Sequence, residues 1–231
     1  MITVETIRER HSVREYDGGP LARAEFDALG VVVEECARES GLDIQLVGDN
    51  PEVFNVIARF GLIRGCRTHV AFVVDDGKVR GVAADEAIGY WGQKIVLAAQ
   101  DMELNTCWCA LCSRKKSCAV VAPGKKTRLV IAVGHGKTQG FSRKTKSVEA
   151  LSSVECAKAP AWFAAAMQAA QLAPTAMNNQ NFKITLLSDG KTVRIDAPQS
   201  GLNVIDEGIV RCNFEIAANE AGADWRWERD I

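Results

Sequence analysis

Apolar positions along the chain fall into runs whose period separates helices from strands. Within 21–38, Phe26, Leu29, Val32, Val33 and Cys36 recur at helical spacing and predict an amphipathic helix. Residues 42–47 alternate as a half-buried strand does. The run His69-Val70-Ala71-Phe72-Val73-Val74, closed by Asp75-Asp76-Gly77, reads as a buried strand and a turn. The clearest helix covers 84–104, where Ile88, Trp91, Ile95, Ala98 and Met102 line one stripe. Residues 129–133 read as another buried strand, and the polar, basic stretch 140–147 is the most linker-like segment. Beyond it come a helix at 160–172, a hairpin pairing 183–187 with 192–196 about Asp189-Gly190, and a helix at 206–221.

The two halves repeat one another. Advancing the central helix by 119 residues brings Gly89 onto Gly208, Ala98-Ala99 onto Ala217-Ala218 and Trp108 onto Trp227. The stripe transfers as well: Trp91, Ile95, Ala98 and Met102 become Val210, Phe214, Ala217 and Ala221. With helix–strand–helix order repeating around it, this offset predicts an internal duplication. A chain of 231 residues is roughly one and a half times the usual domain. It is expected to form one globule with a first half at 1–150 and a second at 151–231.

Composition narrows the function classes. Apolar residues at 47% and charged residues at 25% exclude wholesale disorder. A net charge of −1 leaves no bulk electrostatic case for nucleic acid or an anionic membrane. The most apolar stretch, 161–174, is interrupted by Gln168 and Gln171 and is too short to span a bilayer. The N-terminal residues lack the pattern of a signal peptide, so a cytoplasmic location is expected. There the eight cysteines read mostly as reduced thiols.

Several segments carry candidate chemistry. On an extended Arg10-His11-Ser12-Val13-Arg14, alternate residues share a face, so two guanidiniums and a hydroxyl could clamp a phosphate; a solvated basic strand edge is the plainer alternative. The loop Ala173-Pro174-Thr175-Ala176-Met177-Asn178-Asn179-Gln180-Asn181 crowds donors and acceptors between a helix and a strand. It could read a planar heterocycle, or simply satisfy its own backbone. Lys144 and Lys146, with Arg143, could close a phosphate site or form a solvated charge run. Cys107, Cys109, Cys112 and Cys118 contain one Cys-x-x-Cys pair and no second, a weak pattern for zinc or an iron–sulfur cluster. Gly134-His135-Gly136-Lys137-Thr138 lacks the earlier glycine of a phosphate loop, since Ile131 stands there. Three histidines and no serine elbow leave a hydrolase triad little support.

Together these segments resemble the nitroreductase family of FMN-dependent oxidoreductases. Its Arg-x-Ser-x-Arg start followed by an aromatic is matched by Arg10 to Tyr16. Its Pro-Ser-x-x-Asn-x-Gln-Pro-Trp loop is matched by Pro174-Thr175-Ala176-Met177-Asn178-Asn179-Gln180-Asn181-Phe182. Its long helix leading to Gly-Leu-Gly-Thr-x-Trp is matched by the helix leading to Glu103-Leu104-Asn105-Thr106-Cys107-Trp108. The proline loop lies in the second half, which resembles the subgroup holding two nitroreductase-like halves in one chain, a pseudo-dimer. The resemblance implies an α+β fold of central mixed and antiparallel sheets flanked by helices, and one FMN site per chain.

It also implies roles. Arg10 and Ser12 would hold the phosphate and ribityl chain, with Arg14 near the flavin ring and Lys144 and Lys146 completing the phosphate site. Pro174, Thr175, Asn178 and Gln180 would line the isoalloxazine. Trp108 and Cys109 fall where the family sets backbone against the flavin, and Cys109-Ala110 is bulkier than its usual glycines. Hydride would pass from NADH or NADPH through flavin N5 to a small-molecule acceptor such as a nitroaromatic or quinone, without a protein nucleophile or metal. A pseudo-dimer is compatible with a monomer or a homodimer. The alternatives are a flavin-storage protein without turnover and a cysteine-ligated metal protein.

Overall fold

The computed structural model describes residues 2–54, 63–76, 82–110, 112–155 and 158–229; Gly77 of the expected turn and Leu111 of the cysteine-rich run lie outside them. In chain order the elements are α1 (Val4–Glu9), α2 (Arg23–Ser40), β1 (Asp43–Val47), β2 (Thr68–Asp75), α3 (Val82–Asp101), β3 (Asn105–Cys109) and β4 (Lys125–Gly134). There follow α4 (Val148–Leu151), α5 (Ala161–Gln171), β5 (Lys183–Leu186), β6 (Thr192–Asp196), α6 (Asn203–Glu220) and β7 (Arg226–Trp227). They gather into two compact units that interleave along the sequence. One holds Glu9–Arg80 and Lys94–Ser142; the other holds Met1–Arg8, Gly81–Gln93 and Arg143–Ile231. The expected linker at 140–147 contains the change of unit after Ser142, and α3 contributes residues to both units.

The first unit is built on an antiparallel sheet of order β1-β2-β4-β3. Strand β2 is buried from Thr68 through Val73, as a β-branched run covered on both faces requires. Helix α2 packs against β1 and buries Leu29, Val33 and Cys36, the stripe expected from spacing. Its first turn is closed by Glu25, whose carboxylate accepts the Ala22 amide at 2.8 Å. Strand β3 was not apparent from pattern, because Asn105-Thr106-Cys107-Trp108-Cys109 has no alternation of apolar and polar types. Its pairing with β4, Trp108 opposite Ile131 and Cys109 opposite Val130, decides the conformation.

In the second unit β5 and β6 form an antiparallel hairpin, and β7 adds to β6 in parallel, making a mixed sheet. Helices α5 and α6 pack together around an aromatic cluster of Trp162, Phe163, Phe214, Trp225 and Trp227. The N-terminal part of α3 crosses α6 with almost no separation. A Cβ on Gly89 would stand 2.0 Å from the Ile205 carbonyl oxygen, and one on Gly208 would stand 2.0 Å from that of Glu86. Only glycine permits backbones to approach this closely.

A buried charge cluster lies in the same unit. Glu86 and Glu207, 0% and 1% exposed, face Arg211 and Arg229. Arg229 donates to Glu86 at 2.8 and 3.1 Å and to Glu207 at 3.0 Å, while Arg211 binds Glu86, caps the Arg229 carbonyl and lies 4.5 Å over the Trp227 ring. The α+β fold class expected from sequence is the one observed.

Candidate functional site

In the first unit, residues 10–16 run along the free edge of β3. Ser12 bridges Thr106 in parallel, and the Val13 amide donates to the Thr106 carbonyl at 2.9 Å. Farther along, the Tyr16 amide donates to the Arg64 carbonyl, and the Arg64 amide to that of Arg14, both at 2.9 Å. This pairing enforces the alternation expected of an extended segment. Arg10 Nη1 donates to Ser12 Oγ at 3.4 Å, so the two side chains share a face.

Arg10 is not a solvated edge residue: it is 8% exposed. Burial pushes its guanidinium down to about 10, against a raising influence from Cys107. Arg14 is half-buried. Between them Val13 enters the core with Cys107, Cys109 and Tyr16. Burial, and secondarily Cys66, Cys107 and Cys109, raise the Tyr16 phenol well above its ordinary value.

Strand alternation separates the two β3 residues expected at the flavin. Cys107 and Cys109 join the cluster holding Val13 and Tyr16. Trp108 points to the opposite face, where its ring stacks on Phe72 at 6.1 Å.

The second unit holds the other expected residues. The loop after α5 contains three non-glycine residues at positive φ: Met177 at 54°, Asn178 at 57° and Gln180 at 48°. Each left-handed residue is uncommon outside glycine, and a run of them persists only where surroundings hold it. Gln180, 2% exposed, does much of the holding. Its carboxamide accepts the Lys146 amide at 2.7 Å and donates to the Gln171 carbonyl at 2.9 Å. Its own amide donates to Thr175 Oγ1 at 3.0 Å, and Lys146 Nζ donates to its carbonyl at 2.9 Å.

Asn178 donates to the Lys144 carbonyl at 2.8 Å. The structure thus brings Lys144, Lys146, Thr175, Asn178 and Gln180 together, with the amide and hydroxyl groups engaged in shaping the loop. Pro174 is half-buried at the helix exit, and Met177, 79% exposed, projects into solvent with Asn179 and Asn181.

Asp206 was missed by sequence reasoning. Its carboxylate, 8% exposed, accepts the Ala176 amide at 2.9 and 3.0 Å and so fixes the loop to α6. Burial raises it to about 7, opposed by that hydrogen bond. The signal was present as Asp206-Glu207, two adjacent acids within an otherwise apolar run, Val204-Ile205 and Gly208-Ile209-Val210. Such acids at buried positions need partners.

Among the described residues no three His, Cys, Asp or Glu side chains converge as a metal set, and no helix is long and apolar enough to cross a membrane.

The sequence model of the family described as "Putative TM nitroreductase" matches residues 2–218. The chain resembles the crystal structure of a nitroreductase from Thermotoga maritima, at TM-score 0.66 and 19% identity over 100% of this chain and 90% of that one. It also resembles a nitroreductase crystallised with FMN from Desulfovibrio desulfuricans, at TM-score 0.52 and 18% identity over 66% of this chain and 95% of that one. No functionally curated protein matches. At such identities the structural likeness speaks for the fold, and the match of the family model over nearly the whole chain speaks for descent: the chain belongs to this nitroreductase family.

Proposed function

We propose that the chain is an FMN-dependent NAD(P)H oxidoreductase of nitroreductase type, reducing a small-molecule acceptor such as a nitroaromatic or quinone. The observation that carries this reading is Arg10, a buried guanidinium set beside the Ser12 hydroxyl. Burial disfavours its charge. A phosphate dianion would restore it, and two parallel N–H donors suit that oxyanion. The donor set therefore fits FMN. The family membership and the FMN complex of the Desulfovibrio desulfuricans relative support the choice.

FMN, when bound, supplies hydride transfer between a reduced nicotinamide and an acceptor, so no protein nucleophile is required. In the first unit Arg10 and Ser12 would hold phosphate and ribityl oxygens, Arg14 would add positive charge for the ring, and Trp108 and Cys109 would offer the backbone of their strand to it. In the second unit Lys144 and Lys146 would contribute positive charge, and the loop set by Pro174, Thr175, Asn178 and Gln180 would offer the ring its polar groups. A loop held by buried hydrogen bonds in a strained conformation is pre-organised, so binding need not order it.

The same reading includes a cytoplasmic location and one FMN site per chain, arising from duplication. The α3–α6 crossing supports the duplication. Gly89 meets Ile205 and Ile209, while Gly208 meets Glu86 and Tyr90. Each pair maps onto the other at the spacing that separates Gly89 from Gly208. Such reciprocity is the mark of an isologous, two-fold contact.

The purified protein is expected to be yellow, or to become so with added FMN, and to bleach anaerobically with NADH or NADPH. Arg10→Ala is expected to weaken FMN retention by about tenfold or more, one lost charge-assisted contact. A colourless protein that takes up no FMN overturns the reading. Bound FMN that neither nicotinamide reduces would favour flavin storage instead.

A further inference from the structure

The flavin reading sets the backbone at Cys109 beside the ring but gives the thiols of Cys109 and Cys112 no chemical role. Cys109 ends β3, buried opposite Val130. Cys112 lies half-buried against the same core cluster, and its Sγ stands 3.6 Å from the Cys109 carbonyl oxygen. The chain beyond Cys112 is fixed: the Ser113 amide donates to the Val53 carbonyl at 2.8 Å and the Arg114 guanidinium to the Arg128 carbonyl at 2.6 Å. Arg114, Lys115 and Lys116 follow as exposed cations on a single turn.

We propose that Cys109 and Cys112 are a redox-active dithiol that reduces small disulfides bearing carboxylates, Cys112 attacking and Cys109 resolving. The roles follow from exposure, because the attacking sulfur must be reached by substrate and the resolving one need only reach its neighbour. The cations after Cys112 select an anionic disulfide. The thiol of Cys112 is lowered, first by the hydrogen bond from Cys109 and then by Arg114. Burial pushes Cys36 up to about 11 and Cys66 to about 12, so those thiols stay protonated.

The exchange balances without flavin or metal. The Cys112 thiolate attacks one sulfur of the substrate, the substrate S–S bond breaks, and the departing thiolate takes a proton from water. Cys109 loses its proton to water and attacks the Cys112 sulfur of the mixed disulfide, expelling the second thiolate. The substrate gains two electrons and becomes two thiols, and the protein pair loses two electrons and becomes a disulfide.

The test uses the full chain, reduced and freed of reductant, incubated with oxidised glutathione, alkylated and peptide-mapped. The expected product is a Cys109–Cys112 disulfide. Cys109→Ser is expected to retain one glutathione on Cys112, and Cys112→Ser none on Cys109. The cationic disulfide cystamine is expected to react more slowly at low salt. Should Cys109→Ser fail to fold, alkylation of the unmodified chain decides. At neutral pH Cys112 should react about tenfold faster than the exposed Cys118. Free Cys112 beside a modified Cys118, or alkylation of Cys112 no faster than that of Cys118, overturns the proposal.

Discussion

Gly89→Ala tests the close α3–α6 crossing directly. The new Cβ would meet the Ile205 carbonyl oxygen at 2.0 Å, whereas ordinary contacts lie at 3.4–4 Å. The helices must therefore part by roughly 1.5 Å, since interiors packed at crystal density have no slack to absorb it. Overpacking a core costs about 1–3 kcal/mol when side chains can shift, and the struck atom here is backbone, which places the cost near or above the upper end. Alanine returns about 1 kcal/mol in helix propensity. A net loss of roughly 2–3 kcal/mol follows, or about 5–10 °C in a chain of this size. Gly208→Ala should cost a similar amount, because its Cβ meets the Glu86 carbonyl oxygen at the same 2.0 Å. The two losses should not add, since one alanine already opens the crossing for the other. Gly30→Ala is the control: in α2 its Cβ would meet only Leu46 Cδ2 at 4.0 Å. It should stabilise by up to about 1 kcal/mol. Urea and thermal unfolding of the four variants measure all of this. Gly89→Ala behaving like Gly30→Ala, or a fully additive double variant, would refute the reasoning.

Two further outcomes follow from buried charges. Glu86→Ala strands Arg211, which is 1% exposed, and should destabilise by about 3–5 kcal/mol in urea unfolding. Arg229→Ala leaves Glu86 its pair with Arg211 but removes the ion-pair partner of Glu207, which is 1% exposed, and should also destabilise by about 3 kcal/mol. Asp206 gives a pH signature. Its folded value near 7 lies above the ordinary 3.8, so its contribution is fully present below about pH 4 and fades as pH rises through 7. Relative to Asp206→Asn, the unmodified chain should lose on the order of 4 kcal/mol across that window. Urea titrations at stepped pH measure it, and parallel stability curves would count against a buried Asp206.

Periodicity carries the long elements well. The stripe of α2 and the apolar run of β2 are each deep enough that their own spacing names both element and buried face. Helix α6 begins at Asn203, earlier than the pattern places it, and Asp206 is the reason the start was obscured. A carboxylate reads as the first polar residue of a solvated turn, yet here it is buried against the Ala176 amide. Strand β3 was illegible for a similar reason, since Thr106 and Trp108 favour a strand, Asn105 disfavours one and no alternation settles the conflict, so the partner β4 decides it.

The candidate site divides along the same line. Residue types and spacing alone marked Arg10, Ser12, Arg14, Lys144, Lys146 and the loop from Pro174, because oxyanion and heterocycle chemistry require guanidinium, hydroxyl and amide groups wherever the chain places them. What those groups do locally was decided by tertiary contacts. Arg10 is buried rather than solvated, Trp108 and Cys109 point to opposite faces, and the amides of Asn178 and Gln180 hold a strained loop. Sequence by itself determined which chemistry the chain can offer and where its periodic elements lie, since both depend on side-chain identity and near-neighbour spacing. Burial, strand partners and the approach of Gly89 to Gly208 depend on residues far apart in sequence, and only the folded chain brings those together.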